Sequence, residues 1–170
     1  AYRRQRQMCI RDRDSAGGNL AAVVAQRSAN KIYAPRAQLL LYPAVDFKSR
    51  HPSFYAYNQG LVLSAQDIDL VTKLYAETHQ VELDDPLISP TYGELKNLPP
   101  AYVITARHDV LHDEGSIYAL KLRENGVRVY YQEYTDQAHG FINLTPIHKR
   151  SKKQVIELSK NFRKFLDKKI

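Results

Sequence analysis

Cysteine occurs once, as Cys9, and tryptophan is absent from the 170 residues. One thiol excludes an internal disulfide and a cysteine-rich zinc module, and it suits the reducing cytoplasm. No apolar run approaches the ~20 residues needed to cross a bilayer, so no membrane span is expected. Repeats and low-complexity tracts are lacking as well, which argues against solenoids and disordered tails. Acidic residues are the minority, 18 against 25 Lys and Arg. The basic excess sits at the two ends: residues 1–13 carry +4, residues 148–170 carry +7, and those between carry −4. A nucleic-acid surface would gather basic and aromatic side chains on one face of the body, so no nucleic-acid partner is expected. What is present is ordinary, 44% hydrophobic and 25% charged, as in a globular domain with a sizeable core.

Residues 1–13 show no apolar period and no turn logic, and their character changes abruptly at Asp14. They read as a non-native leader, with residues 14–170 as one domain. From Gly17 to about Asn30 the chain is Ala-rich with helical spacing. Ala37–Tyr42 is a short apolar run before Pro43, the pattern of a strand buried on both faces. Residues 46–80 form a polar, aromatic connection and then a helix opened by Ser64-Ala65-Gln66-Asp67, a capping-box pattern. Ile68, Val71, Leu74 and Tyr75 give that helix an apolar face. Residues 82–100, with four prolines, read as a loop. Ala101–Ala106 predicts a second buried strand, and Asp113 a cap for a helix stopped by Gly126. Val127–Tyr134 alternates as a third strand, and a final helix covers about 151–168. Strands alternating with helices predict an α/β fold with a mainly parallel sheet.

Three residues gather at one edge of such a sheet. Ser15 precedes the first helix, in a turn of small neighbours where strand and helix pass closely. Such a turn can expose a serine hydroxyl in strained geometry, with the Ala16 N–H free to donate to an oxyanion. Read alone, Ser15 or Asp14 serves equally well as a helix cap. Asp109 follows the second predicted strand and His139 the third. In open parallel sheets functional loops lie at the carboxyl ends of strands. A serine needs a base, and the base needs an acid to fix its tautomer.

The motifs make this specific. Asp14-Ser15-Ala16-Gly17-Gly18-Asn19-Leu20 resembles the nucleophile elbow, GDSAGG, of the hormone-sensitive-lipase-like branch of α/β-hydrolases. Leu41-Tyr42-Pro43-Ala44 is similar to that branch's next strand. Asp109-Val110-Leu111-His112-Asp113-Glu114-Gly115 resembles its DPLRDEG, and His139-Gly140-Phe141 its HGF. The resemblance runs from residue 14 to the C-terminus. It implies an incomplete α/β-hydrolase fold and hydrolysis of short-chain carboxylic esters without a cofactor. Ser15 would be the nucleophile, His139 the general base and then acid, Asp109 the orienting carboxylate, and Ala16 N–H one oxyanion donor. It further implies a lid in residues 46–80, built in part from Phe54, Tyr55 and Tyr57, and a homodimer through the edge strand 127–134.

The departures carry consequences too. Arg13 stands where the family has a glycine, which should strain the turn, and Val110 replaces a proline. No HGGG run occurs, although that loop completes the family's oxyanion hole. The 170-residue chain by itself is therefore expected to fold poorly and to be weakly active, and a catalytically inactive scaffold is the alternative. His108 and His112, four residues apart with an acid after each, would suit a metal on a helical turn. A loop leading into a helix explains them better.

Overall fold

The structure, a computed structural model, describes residues 10–60 and 62–167, with no side chains described at 10–13 or at His79. Four strands form one parallel sheet in the order of the chain: β1 (Ile10–Asp14), β2 (Ala37–Leu41), β3 (Ala101–His108) and β4 (Val129–Ala138). The expected three strands are thus corrected to four. Residues 10–13, read as part of a leader, run into Asp14 as β1. Backbone pairing from Ile10↔Ala37 to Asp14↔Leu41 holds them, a bond pattern that hydrophobic periodicity does not reveal. Residues 1–9 of that leader lie outside the described residues.

Helices cover both faces, as a parallel sheet requires. α1 (Ala16–Arg27) crosses from β1 to β2, and α4 (His112–Glu124) from β3 to β4. Ala21, Ala22, Tyr118, Ala119 and Leu122 pack against Leu40, Ala101 and Val103 on one face. On the other face α5 (Lys149–Asp167) sets Leu158 and Phe165 against Leu39, Tyr102 and Ile104. Alternate residues of β2 and β3 therefore enter opposite layers, the two-residue period of a strand.

Between β2 and β3 the chain forms a short helix α2 (Pro52–Ala56), then α3 (Ala65–His79) and a 3-10 turn at Pro90–Tyr92. The Ser64 capping box is present, with Ser64 and Asp67 each accepting from the other's backbone N–H. The apolar face of α3 differs from expectation. Ile68 is buried against Ala44, Val110 and Leu111, whereas Val71, Leu74 and Tyr75 are exposed. Only the first turns of α3 reach that cluster. Asp113 is likewise not the cap of α4. Leu111 occupies that position, and Asp113 sits in the first turn. Its carboxylate accepts from Ser53 N–H at 2.8 Å and meets the His112 ring at 2.8 Å. Gly126 ends the α4 region with φ of 80°, in the left-handed conformation expected of it. No described helix is long and apolar enough to cross a membrane.

Candidate active site

β1, β3 and β4 end on the same edge of the sheet, and each hands on one polar side chain. Ser15 follows β1 directly, Asp109 follows β3, and His139 follows β4. Ser15 takes φ 53° and ψ −123°, a conformation costly for any residue with a side chain. Three backbone bonds hold it there. Its N–H donates to the Leu41 carbonyl at 2.9 Å, and its carbonyl accepts from Asn19 N–H at 3.2 Å and Ala44 N–H at 3.3 Å. Strain in the turn thus falls on Ser15. Arg13 is an ordinary strand residue in register with Leu40.

The three side chains meet. His139 Nε2 lies 2.9 Å from Ser15 Oγ, and His139 Nδ1 lies 2.7 Å from Asp109 Oδ2. Both distances fall within hydrogen-bond reach for a nucleophile, base and orienting acid. Asp109 and His139 are buried while Ser15 is only partly so, leaving the hydroxyl as the accessible end of the chain of bonds. The second Asp109 oxygen accepts from Leu111 N–H at 2.9 Å, which fixes the carboxylate plane. Ala16, first residue of α1, is exposed.

Sequence reasoning passed over two neighbours. Tyr42 read as the last residue of the first predicted strand. It sits just past β2 at φ 36°, with its ring edge-on to His139 at 4.8 Å and to Phe141 at 5.7 Å. Its hydroxyl donates to Asp14 Oδ2 at 3.3 Å. Burial, and then the Asp14 carboxylate, raise its phenol well above the ordinary range. Glu114 was only a motif letter. It is buried, and its Oε1 accepts from Val45 N–H at 2.7 Å and Asp46 N–H at 3.2 Å. Burial pushes its carboxyl up to about 8 despite those two donors.

Beside Ala16 opens an apolar cavity of about 170 Å³, lined by Leu20, Phe47, Val71, Tyr75 and Ile88 among others. The 46–80 segment supplies three of those five walls, and its Phe54 and Tyr57 pack over Val110 and Leu111 beside Asp109. The two histidines considered for a metal go to different partners. His108 meets the Tyr57 ring edge-on, and His112 faces Asp113 and Glu133. Among the described residues no cluster of three or more His, Cys, Asp or Glu could hold a metal ion.

The sequence profile of the family described as alpha/beta hydrolase fold matches residues 14–143. The chain belongs to the α/β-hydrolase fold family. Within this hydrolase family, it is 34% identical over 163 residues to Lipase 2 of Moraxella sp. (strain TA144), covering 79% of this chain and 38% of that protein. It is 39% identical over 137 residues to the carboxylic ester hydrolase LipN of Mycobacterium tuberculosis, covering 77% and 36%. Among solved structures, the hyperthermophilic esterase of Pyrobaculum calidifontis matches with a TM-score of 0.79 at 34% identity, covering 92% of this chain and 52% of that one. These relatives are named lipases and esterases, in accord with the hormone-sensitive-lipase-like motifs. The chain spans about two-fifths of the length of the curated relatives it matches.

Proposed function

We propose that the protein is a serine carboxylic-ester hydrolase. The observation that carries this is the unbroken line of hydrogen bonds from Ser15 through His139 to Asp109. In this reading Ser15 Oγ attacks the ester carbonyl carbon while His139 Nε2 takes its proton. Asp109 holds the Nδ1–H tautomer and steadies the imidazolium that forms. The tetrahedral oxyanion draws on the Ala16 N–H at the start of α1, where the helix dipole favours negative charge. His139 then returns the proton to the departing alkoxide, leaving an acyl group on Ser15. A water gives a proton to His139 as it attacks the acyl carbon, and His139 then returns that proton to the departing Ser15 Oγ, which frees the acid and restores the serine.

The cavity beside Ala16 supports a short apolar group on the ester. Its volume is below the several hundred cubic ångströms typical of drug-sized pockets. Residues 46–80 would act as part of the lid over it. The test is labelling by a fluorophosphonate probe together with hydrolysis of p-nitrophenyl esters of increasing acyl length. Ser15→Ala is expected to abolish labelling and to lower hydrolysis to background, with acetate and butyrate preferred over long chains in the unchanged protein. Hydrolysis that survives Ser15→Ala overturns the reading.

The alternative reading is a catalytically inactive scaffold of the same fold. Failure of Ser15 to react with the probe while the chain melts cooperatively would support the scaffold.

A further inference from the structure

If Ser15 is the nucleophile, the Ala16 N–H must point at the developing oxyanion, and something must hold it there. That N–H belongs to the peptide unit that carries the Ser15 carbonyl. The peptide is trans, so its N–H and C=O point in opposite directions from one rigid plane. Whatever grips the carbonyl therefore aims the N–H.

Two donors grip the Ser15 carbonyl: Asn19 N–H at 3.2 Å, inside α1, and Ala44 N–H at 3.3 Å, from the segment after β2. Only the second ties the plane to the rest of the protein. The Ala44 segment is in turn clamped from two sides. Asn19 Nδ2 donates to the Ala44 carbonyl at 2.9 Å. Glu114 Oε1 receives the next two backbone N–H groups, those of Val45 and Asp46. The following residue, Gly115, lets α4 lie close to this segment. A Cβ there would stand 2.9 Å from Thr105 Cγ2 and 3.6 Å from Pro43 Cδ.

We propose that Glu114 is a positioning residue for the oxyanion donor: it fixes the Ala44–Asp46 segment, which orients the Ser15–Ala16 peptide and so aims the Ala16 N–H. The inference rests on the ester-hydrolase reading above. It concerns a buried side chain outside the triad. Burial favours the neutral carboxyl, and the carboxylates of Asp46 on the gripped segment and Asp109 after β3 add to that. A neutral acceptor oxygen therefore suffices, and glutamine supplies one.

The experiment uses the protein with p-nitrophenyl butyrate as substrate and an alkyl trifluoromethyl ketone as inhibitor. The ketone adds the serine hydroxyl and becomes a hemiketal whose oxygen occupies the oxyanion position. Glu114→Leu removes the acceptor. Its kcat is expected to fall with KM nearly unchanged, and ketone affinity to weaken by the same factor, up to the ~100–1,000-fold of one lost donor. Glu114→Gln is expected to keep kcat and ketone affinity close to the unchanged protein. Asn19→Ala releases the same segment from its other side and should show the same signature, which keeps the test decisive if Glu114→Leu does not fold.

Rates are taken per titrated Ser15, so loss of folded protein does not count. Unchanged ketone affinity in Glu114→Leu or Asn19→Ala overturns the proposal, as does an equal fall in Glu114→Gln. Failure of the hydrolase reading itself would appear separately, as hydrolysis by Ser15→Ala.

Discussion

At Ser15 the backbone accepts φ 53° and ψ −123° although a side chain is present. That cost is borne by bonds to Leu41 and Ala44. Nothing in a five-residue motif distinguishes this turn from a helix cap. It became legible only because Asp109 and His139 follow strands whose ends lie on the same edge. Tyr42 and Glu114 stayed illegible for a different reason. A tyrosine in an apolar run and a glutamate at a helix start look like packing and solvation, and only the contacts to His139, Asp14, Val45 and Asp46 give them work. Asp109 makes the sharpest prediction at this scale. An asparagine there would present an N–H to Nδ1 and favour the wrong tautomer, so Asp109→Asn should lower kcat about 10⁴-fold with little change in folding. Initial ester-hydrolysis rates per titrated serine, beside a thermal melt, check both halves.

Among the elements, those with a buried apolar face or a local cap were readable. β2, β3, α1 and the capping box at Ser64 all follow from patterns of a few residues. β1 was not readable, because Arg11, Asp12 and Arg13 present no apolar alternation and the strand exists through pairing with β2. The start of α4 was misread because Asp113, a good cap by type, is drawn to the Ser53 N–H and the His112 ring instead. Burial works against ionisation there, but those partners hold the Asp113 carboxyl below its usual range. Packing between α4 and β3 supplies the prediction. The Thr105 side chain that a Cβ at 115 would meet is tied to the Tyr131 hydroxyl at 2.8 Å and cannot turn away freely. Gly115→Ala gains up to about 1 kcal/mol of helix propensity, but overpacking costs about 1–3 kcal/mol. The net expectation is a loss of about 1 kcal/mol, read as a lower urea midpoint at unchanged m-value.

For the molecule as a whole, Glu114 links folding to pH. Its carboxyl, ordinarily near 4.5, is pushed to about 8 by burial, so the folded chain keeps a proton that the unfolded chain releases. The stability this contributes is complete below about 4.5 and is lost as pH rises through about 8, at a slope of up to about 1.4 kcal/mol per pH unit. Urea midpoints at pH 5, 6.5 and 8 should fall in that order, and Glu114→Gln should flatten the series. A last consequence follows from strand order. β1 and β4 are the outermost of the four described strands, nominally about 14 Å apart at the usual strand spacing. The side chains they deliver nonetheless close to 2.9 Å. Ser15 and His139 are thus 124 residues apart in sequence and are delivered by strands with two others between them, so their contact is a vote by every intervening strand. If Ser15 is the nucleophile, its reactivity becomes a checksum on assembly. As denaturant rises, probe labelling should vanish when β4 leaves β3, before the helical far-ultraviolet signal fades, and labelling that outlasts that signal would refute it.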